Sequence, residues 1–326
     1  MEHESLTVPP SVPSFPDPPR PNRNSNIFLN EDGLRAGWRF SLYLAGAVIL
    51  FLVFRLLLGP FWRSASSFSS QFMSEVIGFA AAFGAALLMA LLERRSVDVY
   101  GLPVSSAFGK RFWQGYLVGL LEISLLIGLI AAFHGYSFGS LALHRTDILR
   151  WAALWTLCMV FVALFEEFLF RGYSLYTLTS GIGFWPASIV LSLLFGAVHW
   201  QNSGEGLIGV SSVVVVALLF CFTVKRTGNL WFAVGLHAAH DVGETFVYSV
   251  PDSGVVFPGH LSDAVLKGPS WLTGGTVGPE ASLFEFVIFF VLFYVVHRLF
   301  PAKDAPGADL AAVQRTSSDA NTNLTP

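Results

Sequence analysis

The apolar positions of this chain do not alternate; they run. Eight stretches of near-continuous apolar residues fall at 38–59, 72–92, 112–133, 149–170, 184–200, 206–224, 229–250 and 283–300. Segments richer in charge, glycine and proline separate them. A helix that crosses a bilayer needs roughly 20 such residues, and its backbone groups must be satisfied within the segment. The pattern therefore predicts an all-α fold, a polytopic membrane helix bundle of about eight transmembrane helices. The stretch at 184–200 is short and follows Gly181 and Gly183. Residues 1–37 carry no apolar run and hold Pro9, Pro10, Pro13, Pro16, Pro18, Pro19 and Pro21, which predicts a disordered tail. A basic start followed by a short apolar core is missing, so this tail does not read as a signal peptide. Residues 301–326 are polar again and read as a second loose tail.

Composition agrees. Of 326 residues, 53% are hydrophobic and only 13% charged, against roughly 25% charged in an ordinary soluble domain. The net charge of −3 gives no electrostatic footprint for nucleic acid. The expected partner on these grounds is a lipid bilayer. Cys158 and Cys221 lie inside apolar runs and lack metal-type spacing.

The basic residues supply an orientation. With the N-terminus inside, inner segments hold Arg20, Arg23, Arg35, Arg39, Arg94, Arg95, Lys110, Arg111, Arg171, Lys225, Arg226, Arg298, Lys303 and Arg315. Outer segments hold Arg55, Arg63, Arg145, Arg150 and Lys267. That bias predicts both termini in the cytoplasm. The chain divides accordingly into the tail 1–37, three helices over 38–148, a core at 149–250, an outer loop at 251–282, a last helix at 283–300 and the tail 301–326.

Charges far from the ends of a span are functional candidates, because hydrocarbon makes them expensive. Three clusters stand out. In Glu166-Glu167-Phe168-Leu169-Phe170-Arg171, Glu167 and Arg171 are four apart and share a helix face. Glu166 then points about 100° away, free of that partner. The helix is expected to run on through Tyr173–Leu178. The second cluster is Phe195-Gly196-Ala197-Val198-His199. The third is His237-Ala238-Ala239-His240-Asp241-Val242-Gly243-Glu244, where His237 and Asp241 share a face and small residues admit a neighbouring helix. Counted along their spans, Glu166, His199 and Asp241 fall at similar depths of about 20 Å, as one shared site requires. Glu122 lies mid-span in the third stretch and reads as a buried carboxyl in a helix contact or a supporting partner. The loop 251–282 is long for a bundle, and its Trp271, Leu272 and Val277 argue for an ordered lid as much as for a passive loop.

The ordered trio Glu-Glu-x-x-x-Arg, Phe-x-x-x-His and His-x-x-x-Asp resembles the CAAX protease and bacteriocin-processing family. The likeness covers roughly 150–250 and extends to a bacterial branch similar to type II CAAX prenyl endopeptidases. It implies an intramembrane endopeptidase of the bacterial inner membrane, hydrolysing a peptide bond in a membrane-associated or CAAX-like substrate, a peptide or protein, lipidated or not. It implies a catalytic set of Glu166, Glu167, Arg171, His199, His237 and Asp241, with Glu166 activating water. His199 would orient the water, and His237 with Asp241 would stabilise the oxyanion or bind a metal. Amide hydrolysis needs both a base and oxyanion donors. An ionised Asp241 cannot donate to an oxyanion. Either it is protonated, or His237 donates while Asp241 orients it, or both are ligands. No cofactor is required on the first two readings. On the third, a divalent metal such as zinc would sit on Glu166, His199, His237 and Asp241. Intramembrane carboxylates and histidines also serve proton relays, so the alternatives are a proton- or ion-coupled transporter and a non-catalytic membrane scaffold. The chain shows no paired broken helices of the transporter kind and no Gly-x-Ser-x-Gly nucleophile.

Overall fold

The computed structural model describes residues 27–30, 33–59 and 67–301. The tail readings over 1–26 and 302–326, and Arg63, lie outside those residues. Each of the eight apolar stretches is helical. They form α1 (Ala36–Leu58), α2 (Ser67–Glu93), α3 (Lys110–Ala132), α4 (Thr146–Arg171), α6 (Phe184–His199), α7 (Leu207–Thr227), α8 (Trp231–Val242) and α10 (Leu283–Leu299). Two further helices are α5 (Tyr173–Ile182) and the single turn α9 (Ser270–Thr273). The described strands are short pairs: β1 (Leu29–Asn30) with β2 (Gly33–Leu34), and β3 (Tyr136–Ser137) with β4 (Val265–Leu266), both antiparallel.

Among the described residues, five helices are long and apolar enough to cross a membrane: α1, α2, α3, α7, and α4 with α5 taken as one stretch. The chain is an integral membrane protein with an all-α bundle. The other three predicted spans are shorter. α6 has 16 residues and α10 has 17, and α8 has 12 before a five-residue π turn, Gly243–Val247. At 1.5 Å per residue, 16 residues rise about 24 Å, less than a hydrocarbon core of about 30 Å.

Small side chains set the packing. The buried face of α2 is Ala81, Ala82, Ala85, Ala86, Met89 and Ala90, while Leu87, Leu88, Leu91 and Leu92 face outward. Outside a bilayer that outer face would be a liability; against lipid it needs no partner. The tightest seam joins α3 and α8. A Cβ at Gly115 would stand 2.0 Å from the Phe232 carbonyl oxygen, one at Gly119 2.3 Å from that of Leu236, and one at Gly235 2.1 Å from that of Phe112. The two backbones touch because nothing but hydrogen projects between them.

The expected continuation of α4 through Tyr173–Leu178 is interrupted. Gly172 adopts ψ −115, outside the helical region, and α5 begins as a separate helix. A side chain there would crowd the Phe168 carbonyl at 2.4 Å. Tyr173 through Thr179 are all buried, so α5 is an interior element. Its polar residues Ser174, Thr177 and Thr179 kept it from reading as one.

The ends of the bundle are tied separately. At one end, Arg39 and Arg95 flank Glu93 at 3.5 and 3.7 Å, Tyr173 donates its hydroxyl to Glu93, and Leu230 N–H donates to the Gly101 carbonyl just ahead of α3. At the other end of α3, β3 pairs with β4, carrying residues 251–282 across the helix terminus. That segment is ordered. Trp155 Nε1 donates to the Pro258 carbonyl at 3.0 Å, Leu272 and Val277 are buried, and Ser282 caps α10 by accepting from Phe284 N–H at 3.2 Å.

Candidate functional site

The three sequence clusters meet at one cavity of about 80 Å³, lined among others by Glu166, His199, His237 and Asp241. That volume holds a few waters, since a site for one needs about 10–15 Å³ on this measure. Apolar walls from Val162, Phe195 and Phe220 surround the polar groups.

α4 supplies the carboxylates. Glu167 is fully buried and takes Arg171 Nη1 at 3.2 Å one turn along. The Arg171 guanidinium has no further hydrogen bond for Nε and Nη2. Instead it lies over the rings of Phe195, Phe220 and Phe170, with centroids at 4.3, 5.4 and 5.7 Å. Aromatic faces thus do for the charge what water would do at a surface. Glu166 points elsewhere, its side chain 24% exposed, and reaches the cavity without an arginine partner.

α6 supplies His199. Its Nδ1 lies 2.9 Å from the Phe195 carbonyl. A carbonyl only accepts, so Nδ1 carries the proton and the neutral ring keeps Nε2 as its free lone pair. Phe195 therefore performs two tasks: its ring covers both Arg171 and His199 (centroids 4.3 Å apart in each case), and its carbonyl fixes the His199 tautomer. The sequence pattern shows Phe195 only as a spacing marker.

α8 supplies His237 and Asp241. His237 Nδ1 is 3.0 Å from Glu167 Oε1, and the ring stacks on Phe220 at 19°. Its Nε2 then faces Glu166 Oε2 at 3.8 Å and Asp241 Oδ2 at 3.5 Å. The group that orients His237 is thus Glu167. Asp241 lies on the other nitrogen, beyond hydrogen-bond contact.

Among the described residues, no three of Glu166, His199, His237 and Asp241 bring donor atoms within 4.8 Å of one another. The four as placed do not make a ligand sphere.

Four groups escaped the sequence reading. Glu75 in α2 accepts from Gln71 Nε2 at 2.8 Å and sits within electrostatic range of Glu166, Asp241 and His237. Asp252, Glu280 and Glu285 line the same cavity from the loop and from the first turn of α10. All stand near the ends of spans or in a loop, where charges are ordinary; only packing makes them interior. Burial pushes the Asp252 and Glu280 carboxyls well above the usual carboxylate range, and neighbouring carboxylates, including Glu244, push the same way. Glu122, read as a helix-contact carboxyl, is buried and lies 2.8 Å from His240 Nδ1.

Residues 148–243 match the family model described as Type II CAAX prenyl endopeptidase Rce1-like. The resemblance to the CAAX protease family, a family of peptide-bond hydrolases, is borne out over that segment. It covers α4 through α8, the helices that bring Glu166, His199, His237 and Asp241 to the cavity. No curated protein and no solved structure matches the chain.

Proposed function

We propose that this protein is an intramembrane endopeptidase that hydrolyses a peptide bond with water activated by Glu166. The observation that carries the reading is the convergence of Glu166, His199, His237 and Asp241, from three helices, on one apolar-walled cavity within the matched segment. Glu166 is the carboxylate of its pair that no arginine neutralises, and it takes the proton of the attacking water. His199, its Nδ1–H committed to the Phe195 carbonyl, accepts from that water through Nε2 and aims it. Attack on the scissile carbonyl creates an oxyanion. His237 stabilises it by donating from Nε2 as an imidazolium, which Glu167 on one nitrogen and Asp241 near the other hold in charge balance. Glu166 then returns its proton to the leaving amine.

The substrate class we propose is a peptide that partitions to the membrane; the family description over residues 148–243 makes one bearing a prenylated C-terminal cysteine motif the first to try. The orientation that suits the basic residues puts both termini in the cytoplasm of a bacterial inner membrane. The test is cleavage of labelled prenylated and unprenylated peptides by purified protein in detergent. Glu166→Gln is expected to lower turnover by about 10²–10⁴-fold, with His199→Ala in the same range. Undiminished cleavage by Glu166→Gln would remove the proposed base.

A further inference from the structure

Beyond the proposed hydrolytic groups, five carboxylates surround one imidazole. Glu122, Glu244, Glu280, Glu285 and Asp252 stand around His240, drawn from α3, the π turn after α8, the loop and α10. Glu244 is fully buried, and neither of its oxygens has a hydrogen-bond partner. A buried carboxylate with no hydrogen-bond donor is unfavourable. Its nearest cationic neighbour is the His240 ring, which stands beyond hydrogen-bond reach and leaves space for a ligand between them.

The geometry points to a divalent cation bound by His240 Nε2, Glu244 and Glu280. One donor atom from each of these three lies within 4.8 Å of the others. His240 Nε2 and Glu244 Oε1 are 3.6 Å apart. That is too long for a hydrogen bond. It is close to the edge of about 3.4 Å between two ligands held about 2.1 Å from a shared ion. The opposite nitrogen is already engaged: His240 Nδ1 lies 2.8 Å from Glu122 Oε2. A carboxylate accepting from Nδ1–H is the usual support of a metal-bound histidine, fixing the tautomer that leaves Nε2 for the ion. Glu280 is braced as well, its Oε1 accepting from Ser253 N–H at 2.9 Å. The neighbouring group Glu122–His240–Glu285 is a poorer cage, because its shortest contact is a hydrogen bond and leaves no room for an ion between those atoms. One imidazole with two carboxylates suits Zn²⁺ or Mn²⁺. The ion is reached from the cavity, which His240 and Glu280 both line. It would pin the loop segment that carries Glu280 to the end of α8, holding one wall of the cavity in place.

Tag-free protein would be loaded with Zn²⁺ or Mn²⁺, desalted and analysed for metal. About one equivalent is expected in the wild type and in Glu166→Gln, and none in Glu244→Gln or Glu280→Gln. Glu122→Gln should weaken binding by about 10–100-fold while leaving the site present. Zn²⁺ should raise the Tm of the wild type and leave that of Glu244→Gln unmoved. A wild type that retains no metal after loading overturns the inference. So does metal that survives Glu244→Gln and Glu280→Gln, or that is lost in Glu166→Gln or His199→Ala. Should the glutamine variants fail to fold, Co²⁺ added to the wild type decides. Visible d–d absorption free of thiolate charge transfer is expected, and its absence refutes the site. None of these readouts depends on peptide cleavage.

Discussion

Arg171 shows how one residue can be both charged and core. It has one ion-pair partner, Glu167, and is otherwise wrapped in three aromatic rings. Glu167 in turn orients His237, so the pair couples the stability of the fold to the geometry of the site. Arg171→Met removes the guanidinium from a fully buried carboxylate and leaves it only the His237 N–H, expected to cost about 3–5 kcal/mol, read as a fall in Tm in detergent. Arg171→Lys should recover little, because an ammonium cannot stack flat on Phe195. The sequence made this pair legible through a four-residue spacing on a helix, and it made Glu166 legible by exclusion. The same logic could not reach Glu75, Asp252, Glu280 or Glu285. A carboxylate near a helix end or in a loop normally meets water, and only packing takes these out of it: Glu75 beside the groups of α4 and α8, the other three around the cavity.

At the scale of elements, the position of α8 is set by glycine. With Gly115, Gly119 and Gly235 in the seam, α3 and α8 approach at backbone contact, and His237, His240 and Asp241 inherit their places from that approach. Gly119→Leu must push α8 away from α3. The expected result is a loss of stability of about 1–3 kcal/mol or more, together with loss of cleavage at substrate concentrations that saturate the wild type. Gly128→Leu, on the same helix with open space around it, should do neither. Apolar runs located all eight long elements to within a few residues, because lipid rewards apolar surface on every side of a helix. They stopped at residue 170, short of α5, since an interior helix wedged among others can hydrogen-bond its own Ser and Thr side chains. The expected continuation through Tyr173–Leu178 is helical but belongs to a second helix, because one backbone angle at Gly172 rather than any hydrophobic pattern ends α4.

For the molecule as a whole, α3 is a measuring rod. Its 23 residues span about 35 Å, with the Glu93–Arg95 cluster at one end and the β3–β4 pair at the other. Arg94 and Lys267 are exposed at those two ends, and the native cysteines Cys158 and Cys221 are buried. In intact cells, an impermeant maleimide is therefore expected to label Lys267→Cys and not Arg94→Cys, with Arg94→Cys labelled once the membrane is opened. The reverse pattern would invert the proposed orientation and place the termini outside.

The glycine seam has a consequence for descent. α3 lies outside the segment 148–243 that carries the family signature, yet at Gly115 and Gly119 its contact with α8 forbids a side chain. Lineages of this chain should therefore be free to rewrite α1, whose leucines face outward, while α3 drifts only in step with α8. Aligned homologues should show the two helices changing as a pair, with Gly115, Gly119 and Gly235 replaced together or not at all.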